Sequence, residues 1–279
     1  MSTVTFSDPF AAVEIQPLQV AGETVPTRVA VRIKSDEGPF SVAGIVGRDY
    51  QLLSNRKVRD IAEDIMSRCP STLGGFRGLK TLFDGKRYVD YFASNQPIIS
   101  LHNGRATDLK LGLMVWNSYD GTRKVGFEIF ALNPFCTNQY HSRNRFGFFA
   151  WRHQPGEAAK IDVDDALQNI SNGIQNIVRA APLMEEMKHT PLSLPLILDI
   201  KAGTKMPQSR WGDVLDELKA EEATKWGIYQ AMTNVASHKL NGLSAIDIGS
   251  SITDHFLGDP SAKPVMNHTT AAAVIGEDA

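Results

Sequence analysis

Two runs of alternating apolar and polar residues, each interrupted by an Asp-Gly pair, constrain the fold of this chain most strongly. The first is FRGLKTLF, then Asp84-Gly85, then KRYVDYFA; the second is DLKLGLMVW, then SYDGT, then KVGFEIFAL. Every second residue from Leu109 to Val115 is apolar, which is typical of a half-buried strand. An Asp-Gly pair tolerates the positive φ angles of a tight hairpin turn. The pattern therefore predicts four antiparallel strands between Phe76 and Leu132.

Similar signals precede these hairpins. The segments VEIQPLQV and TRVAVRI, at Val13 to Val20 and Thr27 to Ile33, predict two more antiparallel strands, and SVAGIVG predicts another. Ser54 can then cap a helix, because its hydroxyl can accept a hydrogen bond from a free backbone N–H. The apolar positions of that helix share one face and are Val58, Ile61, Ile65 and Met66.

The second half of the chain predicts helices. Apolar residues at 4-3-4-3 spacing indicate one long helix from roughly Asp162 to Lys188, which PLSLPLI ends. Three aspartates in its first turn stabilise the helix dipole, an interpretation that we favour over a metal cluster. A further helical region is predicted at about Ser209 to Leu240, and the residues from Asn241 onward are small and polar.

These elements predict an α+β fold, in which an antiparallel, hairpin-rich sheet packs against one long helix and further C-terminal helices. We expect a single domain over residues 1–260, with a β-rich part at 1–135, a basic loop at 136–160 and a helical part at 161–260. Residues 261–279 are predicted to form a flexible tail.

Composition places the chain among ordinary globular proteins, with 42% hydrophobic and 22% charged residues. The first residues, MSTVTFSDPF, lack the features of a signal peptide, and no window approaches the roughly 18 apolar residues of a membrane span. We therefore expect a cytoplasmic protein without a membrane partner. Cys69 and Cys136 are far apart in sequence and are predicted to be free thiols.

Charge is distributed unevenly along the chain. From Arg48 to Lys160 there are 17 basic and 10 acidic residues, a net charge of +7, whereas the remainder has 12 basic and 21 acidic residues, a net charge of −9. Such asymmetry can mark a binding surface for a polyanion. It can equally reflect sheets rich in lysine and arginine beside helices rich in glutamate.

The segment NPFCTNQYHSRNRFGFFAWRHQ, Asn133 to Gln154, contains one cysteine, two histidines, three arginines and six aromatic residues. Cys136, His141 and His153 lack the paired spacing of zinc ligands, so no metal is expected. Nothing near Cys136 marks it as a nucleophile, and the phosphate-binding and hydrolase motifs are absent from the sequence. We expect no cofactor and no enzymatic activity.

Arginines interleaved with aromatic residues suggest contact with single-stranded nucleic acid, because cations bind phosphates and aromatic rings stack on bases. The alternative is that the aromatic residues anchor a long loop to the core while the arginines are merely solvated. The predicted nucleic-acid-binding residues are Arg77, Lys80, Lys86, Arg87, Lys110, Arg123, Lys124, Tyr140, Arg143, Arg145, Phe148, Trp151 and Arg152.

Four phrases in order resemble the uncharacterised phage/plasmid-like proteins, the domain of unknown function family 932. They are NSYDGTRKVGF, ALNPFCTNQ, the Thr-Pro-Leu phrase at Thr190 to Leu192, and TKWGIYQAMTNVASHK. The similarity extends over roughly Tyr50 to Leu257. The residues that match the family phrases are Cys136, Asn138, Trp226, Gly227, Ala231, Thr233 and His238, whereas Gln230 stands where asparagine is usual and the usual arginine before the cysteine is replaced.

The resemblance implies a bacteriophage or another mobile element expressed in a bacterial cytoplasm. The predicted order of elements is similar to the β-β-β-α core of Rad52-like and Redβ-like single-strand annealing proteins. We therefore expect a phage-encoded protein that binds and anneals single-stranded DNA as a homo-oligomeric ring or filament, with its tail available to a host single-strand-binding protein. Two alternatives are a virion or assembly protein without DNA contact, and an enzyme that uses Cys136, His141 or His238.

Overall fold

The computed structural model of the chain describes residues 7–36, 38–101, 107–133, 138–143, 146–156, 163–240 and 242–258. The strands are β1 (Val13–Val20), β2 (Glu23–Lys34), β3 (Phe40–Gly47), β4 (Phe76–Phe83), β5 (Arg87–Leu101), β6 (Thr107–Ser118), β7 (Val125–Leu132), β8 (Gln139–His141) and β9 (Phe148–Trp151). The α-helices are α1 (Asn55–Ser67), α2 (Val163–His189), α3 (Leu194–Gly203), α4 (Trp211–Leu218), α5 (Lys225–His238) and α6 (Gly242–Leu257). The predicted α+β class, with antiparallel sheets and C-terminal helices, is confirmed.

The two predicted hairpins form the centre of a six-stranded antiparallel sheet. Strands β4 to β8 follow one another in the order of the sequence, and β9 also pairs with β7. The four strands predicted between Phe76 and Leu132 are all present. Strands β1, β2 and β3 form a separate antiparallel sheet, as the alternating segments near the N-terminus predicted.

The segment predicted as a basic loop at 136–160 contains two short strands. Strand β8 pairs with Phe130 to Leu132, and β9 pairs with Val125 to Glu128, so both lie along β7. This difference follows from the free edge of β7, whose backbone groups need partners. The aromatic residues of the segment are therefore held close to the sheet.

The six-stranded sheet is covered on its first face by helices. Alternate residues of β6 and β7, including Leu111, Val115 and Phe127, join the main core with residues of α1, α2, α5 and α6. The second face carries a smaller cluster around Met114, Trp116 and Phe130, to which α6 contributes Ile246. Every residue of β7 is buried, which explains why this strand is apolar on both faces apart from Glu128.

The small sheet is attached at the end of β6. Tyr119, which follows β6, is buried with Val31, Ile33, Ala43 and Val46 of the small sheet. The Tyr50 hydroxyl donates to the Ser118 carbonyl at 2.7 Å. These contacts place the small sheet beside the turn between β6 and β7.

Helix α1 begins where predicted, since the Ser54 hydroxyl accepts a hydrogen bond from Lys57 N at 3.2 Å. Helix α2 also matches its prediction. Helix α3 was not predicted, because prolines led us to expect an interruption; Pro195 instead occupies its first turn, where no N–H is needed. The predicted region from Ser209 is divided into α4 and α5, and α6 continues beyond Asn241. The predicted tail at 261–279 lies outside the described residues.

In the described parts of the chain, no helix has both the length and the apolar composition that crossing a membrane requires.

Candidate nucleic-acid interface

The turns of the two hairpins lie at the same end of the six-stranded sheet. Arg87, the first residue of β5, pairs with Ser118, the last residue of β6. The backbone N–H of Tyr119 donates to the Lys86 carbonyl at 2.7 Å. The basic residues that follow each Asp-Gly pair are therefore neighbours.

Each turn is held by its own aspartate. The Asp84 carboxylate accepts from Lys86 N at 2.9 Å and from Arg87 N at 2.7 Å, and the Asp120 carboxylate accepts from Thr122 N at 3.0 Å. Gly85 and Gly121 have φ angles of 84° and 70°, which glycine adopts without strain. The local sequence thus fixes where the following basic side chains begin.

Basic residues from two further segments join the turns. Arg152 follows Trp151, which pairs with Val125 at the start of β7. The ring of Tyr50 stacks on that of His153 with centroids 4.7 Å apart, which brings the segment after β3 to the same place. We call the resulting surface the basic rim, and it consists of Arg48, Lys86, Arg87, Arg123, Lys124 and Arg152.

Most of the basic rim carries unpaired positive charge. Lys124 is half-buried and the other rim side chains are exposed. Arg87 lies 3.5 Å from Asp120, whereas the other five side chains make no ion pair with any residue that the structure describes. Asp120 is already engaged: burial raises the pKa of its carboxyl, but hydrogen bonds from Thr122 and the nearby charges outweigh this and lower the pKa.

Three predicted contact residues lie away from the rim. Arg77 is exposed on β4 and pairs with Ala93 of β5. The Lys110 ammonium donates to the Asn95 carbonyl at 2.7 Å, and the Lys80 ammonium lies 4.6 Å from the centre of the Tyr91 ring. The predicted set of cations is therefore divided between separate surfaces.

The predicted stacking rings are not open to a base. Tyr140 is fully buried and donates its hydroxyl to Gln230 Oε1 at 2.7 Å, and Trp151 is 2% exposed against the core aromatics. Phe148 is half-buried and stacks on Trp116. Contrary to the prediction, Tyr140 and Trp151 anchor their segment to the core, because the short strands β8 and β9 turn these rings inward.

Arg143 is engaged with the buried carboxylate of Glu128 and the partly exposed carboxylate of Asp247, and it is not a free cation. Its Nε donates to Glu128 Oε2 at 2.9 Å, and its Nη1 donates to Asp247 Oδ1 at 2.5 Å. Burial lowers the pKa of the guanidinium, but both carboxylates raise it and dominate. Arg143 thus joins the sheet to α6, contrary to its predicted role. Arg145 lies outside the described residues.

Glu128 is the centre of a buried network that the sequence did not reveal. Its side chain is fully buried, and its Oε1 lies 2.7 Å from His141 Nδ1. A lone glutamate within KVGFEIFAL is the signal that could have suggested a buried, paired charge.

Two phrases of the suspected family meet inside the protein. The Asn138 side-chain amide donates to Gln230 Oε1 at 3.0 Å, and the Gln139 backbone N–H donates to Ser237 Oγ at 3.1 Å. These contacts bind β8 to α5. Asn138, Gln230 and Thr233 are buried and serve packing, while Cys136 lies outside the described residues.

A catalytic or metal role gains no geometric support. Within the described ranges, no three side chains among His, Cys, Asp and Glu come together as a metal-binding group. His141 is bound to Glu128, and His238 is exposed at the end of α5.

His153 is buried beside the basic rim. Its Nδ1 lies 3.2 Å from the Gln51 carbonyl, and the Gln51 N–H donates to the His153 carbonyl at 3.0 Å. Burial lowers the pKa of the imidazole, and the hydrogen bond to Gln51 opposes this only in part. His153 is therefore favoured in its neutral form where it joins the small sheet to β9.

The family model described as Domain of unknown function (DUF932) matches residues 42–270, and the chain belongs to this family. No curated protein matches the chain. No solved structure matches it either, so the expected similarity to Rad52-like proteins gains no support from this comparison.

We expect the Glu128→Gln substitution to reduce the free energy of unfolding by about 3 kcal/mol or more, because it removes the buried carboxylate that both the buried His141 and the half-buried Arg143 contact. Urea denaturation at neutral pH measures this change. Glu63→Gln is the matched control: Glu63 pairs with Arg59 at the surface, and its loss should cost less than about 1 kcal/mol. Equal effects of the two substitutions would show that the buried network does not stabilise the fold.

Stability should fall in mild acid because of His153. The pKa of His153 is lower in the folded than in the unfolded chain. Its contribution to the free energy of unfolding is therefore complete above the unfolded pKa of about 6.5 and is lost as the pH falls toward the folded pKa. One such group adds a slope of up to about 1.4 kcal/mol per pH unit. Denaturation at several pH values should give a shallower slope for His153→Asn than for the wild-type protein. An unchanged slope in His153→Asn would contradict this assignment.

Proposed function

We propose that this member of the family binds single-stranded DNA and that its basic rim holds the phosphate backbone. The observation that carries the proposal is a row of five cations without an ion pair to any described residue, gathered at one end of the sheet from four separate segments. A cation without a protein partner can bind a phosphate without first breaking an ion pair. Neutralising phosphates releases condensed counterions, which favours binding at low salt.

The size of the rim limits how many phosphates one protein copy binds. From β5 to β9 there are three strand spacings, a distance of about 15 Å. A few phosphates fit along this distance, so one copy alone binds a strand weakly. Several copies on one strand would bind far more tightly through their combined contacts, which is why we include a homo-oligomer in the proposal.

We propose single-stranded DNA and not duplex DNA as the ligand because of the shape of the rim. It consists of hairpin turns and strand ends, and none of its described residues belongs to an α-helix, the element that most often enters the major groove of a duplex. A flexible single strand can follow such an uneven surface. Because Tyr140 and Trp151 are buried, the bases receive no stacking contact from them and stay free to pair.

Annealing of complementary strands follows as the proposed activity, since a strand held by its phosphates presents its bases to a second strand. The proposal includes the setting that the family resemblance implies, a bacteriophage gene expressed in a bacterial cytoplasm. Similarity to Rad52-like annealing proteins stays a prediction from the order of elements.

Fluorescence anisotropy with a labelled oligothymidine at several salt concentrations tests the proposal. We expect a slope of log K against log salt of about −2 to −3, as for three or four phosphates of a single strand. The combined variant Arg123→Ala, Lys124→Ala and Arg152→Ala should lose affinity at low salt, and its slope should shrink by about 0.7 for each phosphate that the variant no longer neutralises.

The matched control removes the same charge elsewhere, with Lys57→Ala, Arg179→Ala and Lys205→Ala, all exposed residues outside the rim. It should retain the wild-type slope. Equal losses in both triple variants would mean that net charge, not the rim, drives binding. Equal affinity for a duplex of the same length would contradict the preference for a single strand.

A further inference from the structure

A cleft of about 240 Å³ lies on the second face of the six-stranded sheet, where α5 ends and α6 begins. Its polar wall consists of Lys80, Tyr91, Gln139, His141, Ser237 and His238. It shares no residue with the basic rim. The packing of α6 against β8 forms one side of the cleft, where a Cβ added to Gly249 would lie 3.6 Å from the His141 ring.

Among the residues that the structure describes, those lining the cleft include hydrogen-bond donors but no carboxylate. Lys80 makes no ion pair with a described residue, and its ammonium lies 4.6 Å from the Tyr91 ring. The Tyr91 hydroxyl has no hydrogen-bond partner in the described part of the chain, although it lines the cleft. Burial and the Glu128 carboxylate raise the pKa of Tyr91, which keeps this hydroxyl protonated and able to donate.

The nearby negative charge is partly compensated by ion pairs and hydrogen bonds. Glu128, behind the cleft, is bound by His141 and Arg143, and Asp247 is bound by the same arginine. An anion entering the cleft therefore meets Lys80 without an opposing free carboxylate among the lining residues. Lys80 is exposed overall, and burial of part of its side chain lowers the pKa of the ammonium, a direction that an anionic partner would oppose.

The other wall of the cleft is apolar. Leu82, Leu240 and Ile246 line it, and Leu82 is 44% exposed although it is a large aliphatic residue. A ligand with both a charged and an apolar part would fill this space better than an inorganic ion, because small-molecule sites combine an apolar lining with a few directed polar groups.

We infer that the cleft binds a small organic anion, with its phosphate or carboxylate at Lys80 and the Tyr91 hydroxyl and its apolar part against Leu82, Leu240 and Ile246. This site is independent of the basic rim and of the proposed DNA binding.

Isothermal titration calorimetry with phenyl phosphate, benzoate and phenol tests the inference and distinguishes the two anions. Phenyl phosphate or benzoate should bind saturably, and phenol should bind at least about tenfold more weakly, a difference of 1.4 kcal/mol. Lys80→Met keeps the length of the side chain and removes its charge, and should weaken anion binding by a similar factor. Lys57→Met on α1 is the control and should bind as the wild type does.

Three results would overturn the inference. The first is no saturable binding of either anion up to about 10 mM, a concentration that corresponds to a binding free energy of about −3 kcal/mol. The other two are equal binding of phenol and unchanged anion binding by Lys80→Met. Circular dichroism and oligothymidine binding of Lys80→Met establish that the variant is folded. Retained DNA binding beside lost anion binding would separate this site from the rim.

Discussion

The pairing of the buried Glu128 carboxylate with His141 and Arg143 is the interaction on which the arrangement of this protein depends. A charge removed from water costs several kcal/mol unless partners compensate it. Here His141 and Arg143 supply these partners from the strand beside β7 and from the residues that follow it. Because Arg143 also binds Asp247, the same network determines where α6 lies against the sheet.

Asn138 and Tyr140 extend this docking to α5, since both donate to the side chain of Gln230 and all three are buried. Polar side chains in a core must pair to avoid a desolvation cost, so these contacts specify one position of the helix.

At the end of the sheet, simple turn chemistry creates the basic rim. Asp84-Gly85 and Asp120-Gly121 each use the aspartate to bind the backbone of the turn, which occupies the carboxylates with local hydrogen bonds. The basic residues that follow project beside one another as a consequence of strand pairing. The same short-range signals that predict the hairpins thus also explain the concentration of charge in the rim.

Local features of this fold could be predicted from the sequence, whereas long-range ones could not. Alternation and Asp-Gly turns identified four strands, and the Ser54 cap identified α1, because each signal lies within a few residues. The directions of the side chains in the segment from Asn133 to Gln154 could not be predicted from local signals, because they depend on the pairing of β8 and β9 with β7. For the same reason Lys110 and Arg143 were assigned to DNA, since their partners Asn95, Glu128 and Asp247 are distant in sequence. Helix α6 was missed because its small residues pack against the sheet without a strong apolar stripe.

Binding of phosphates at the basic rim is the central claim, and lysine footprinting tests it most directly. Lysines would be reductively methylated in the presence and absence of a saturating oligothymidine, and modification of each lysine would be measured by mass spectrometry. We expect protection of Lys86 and Lys124, with Lys57, Lys205 and Lys219 modified at the same rate in both samples. Protection of Lys57, Lys205 and Lys219 with unprotected Lys86 and Lys124 would contradict binding at the rim.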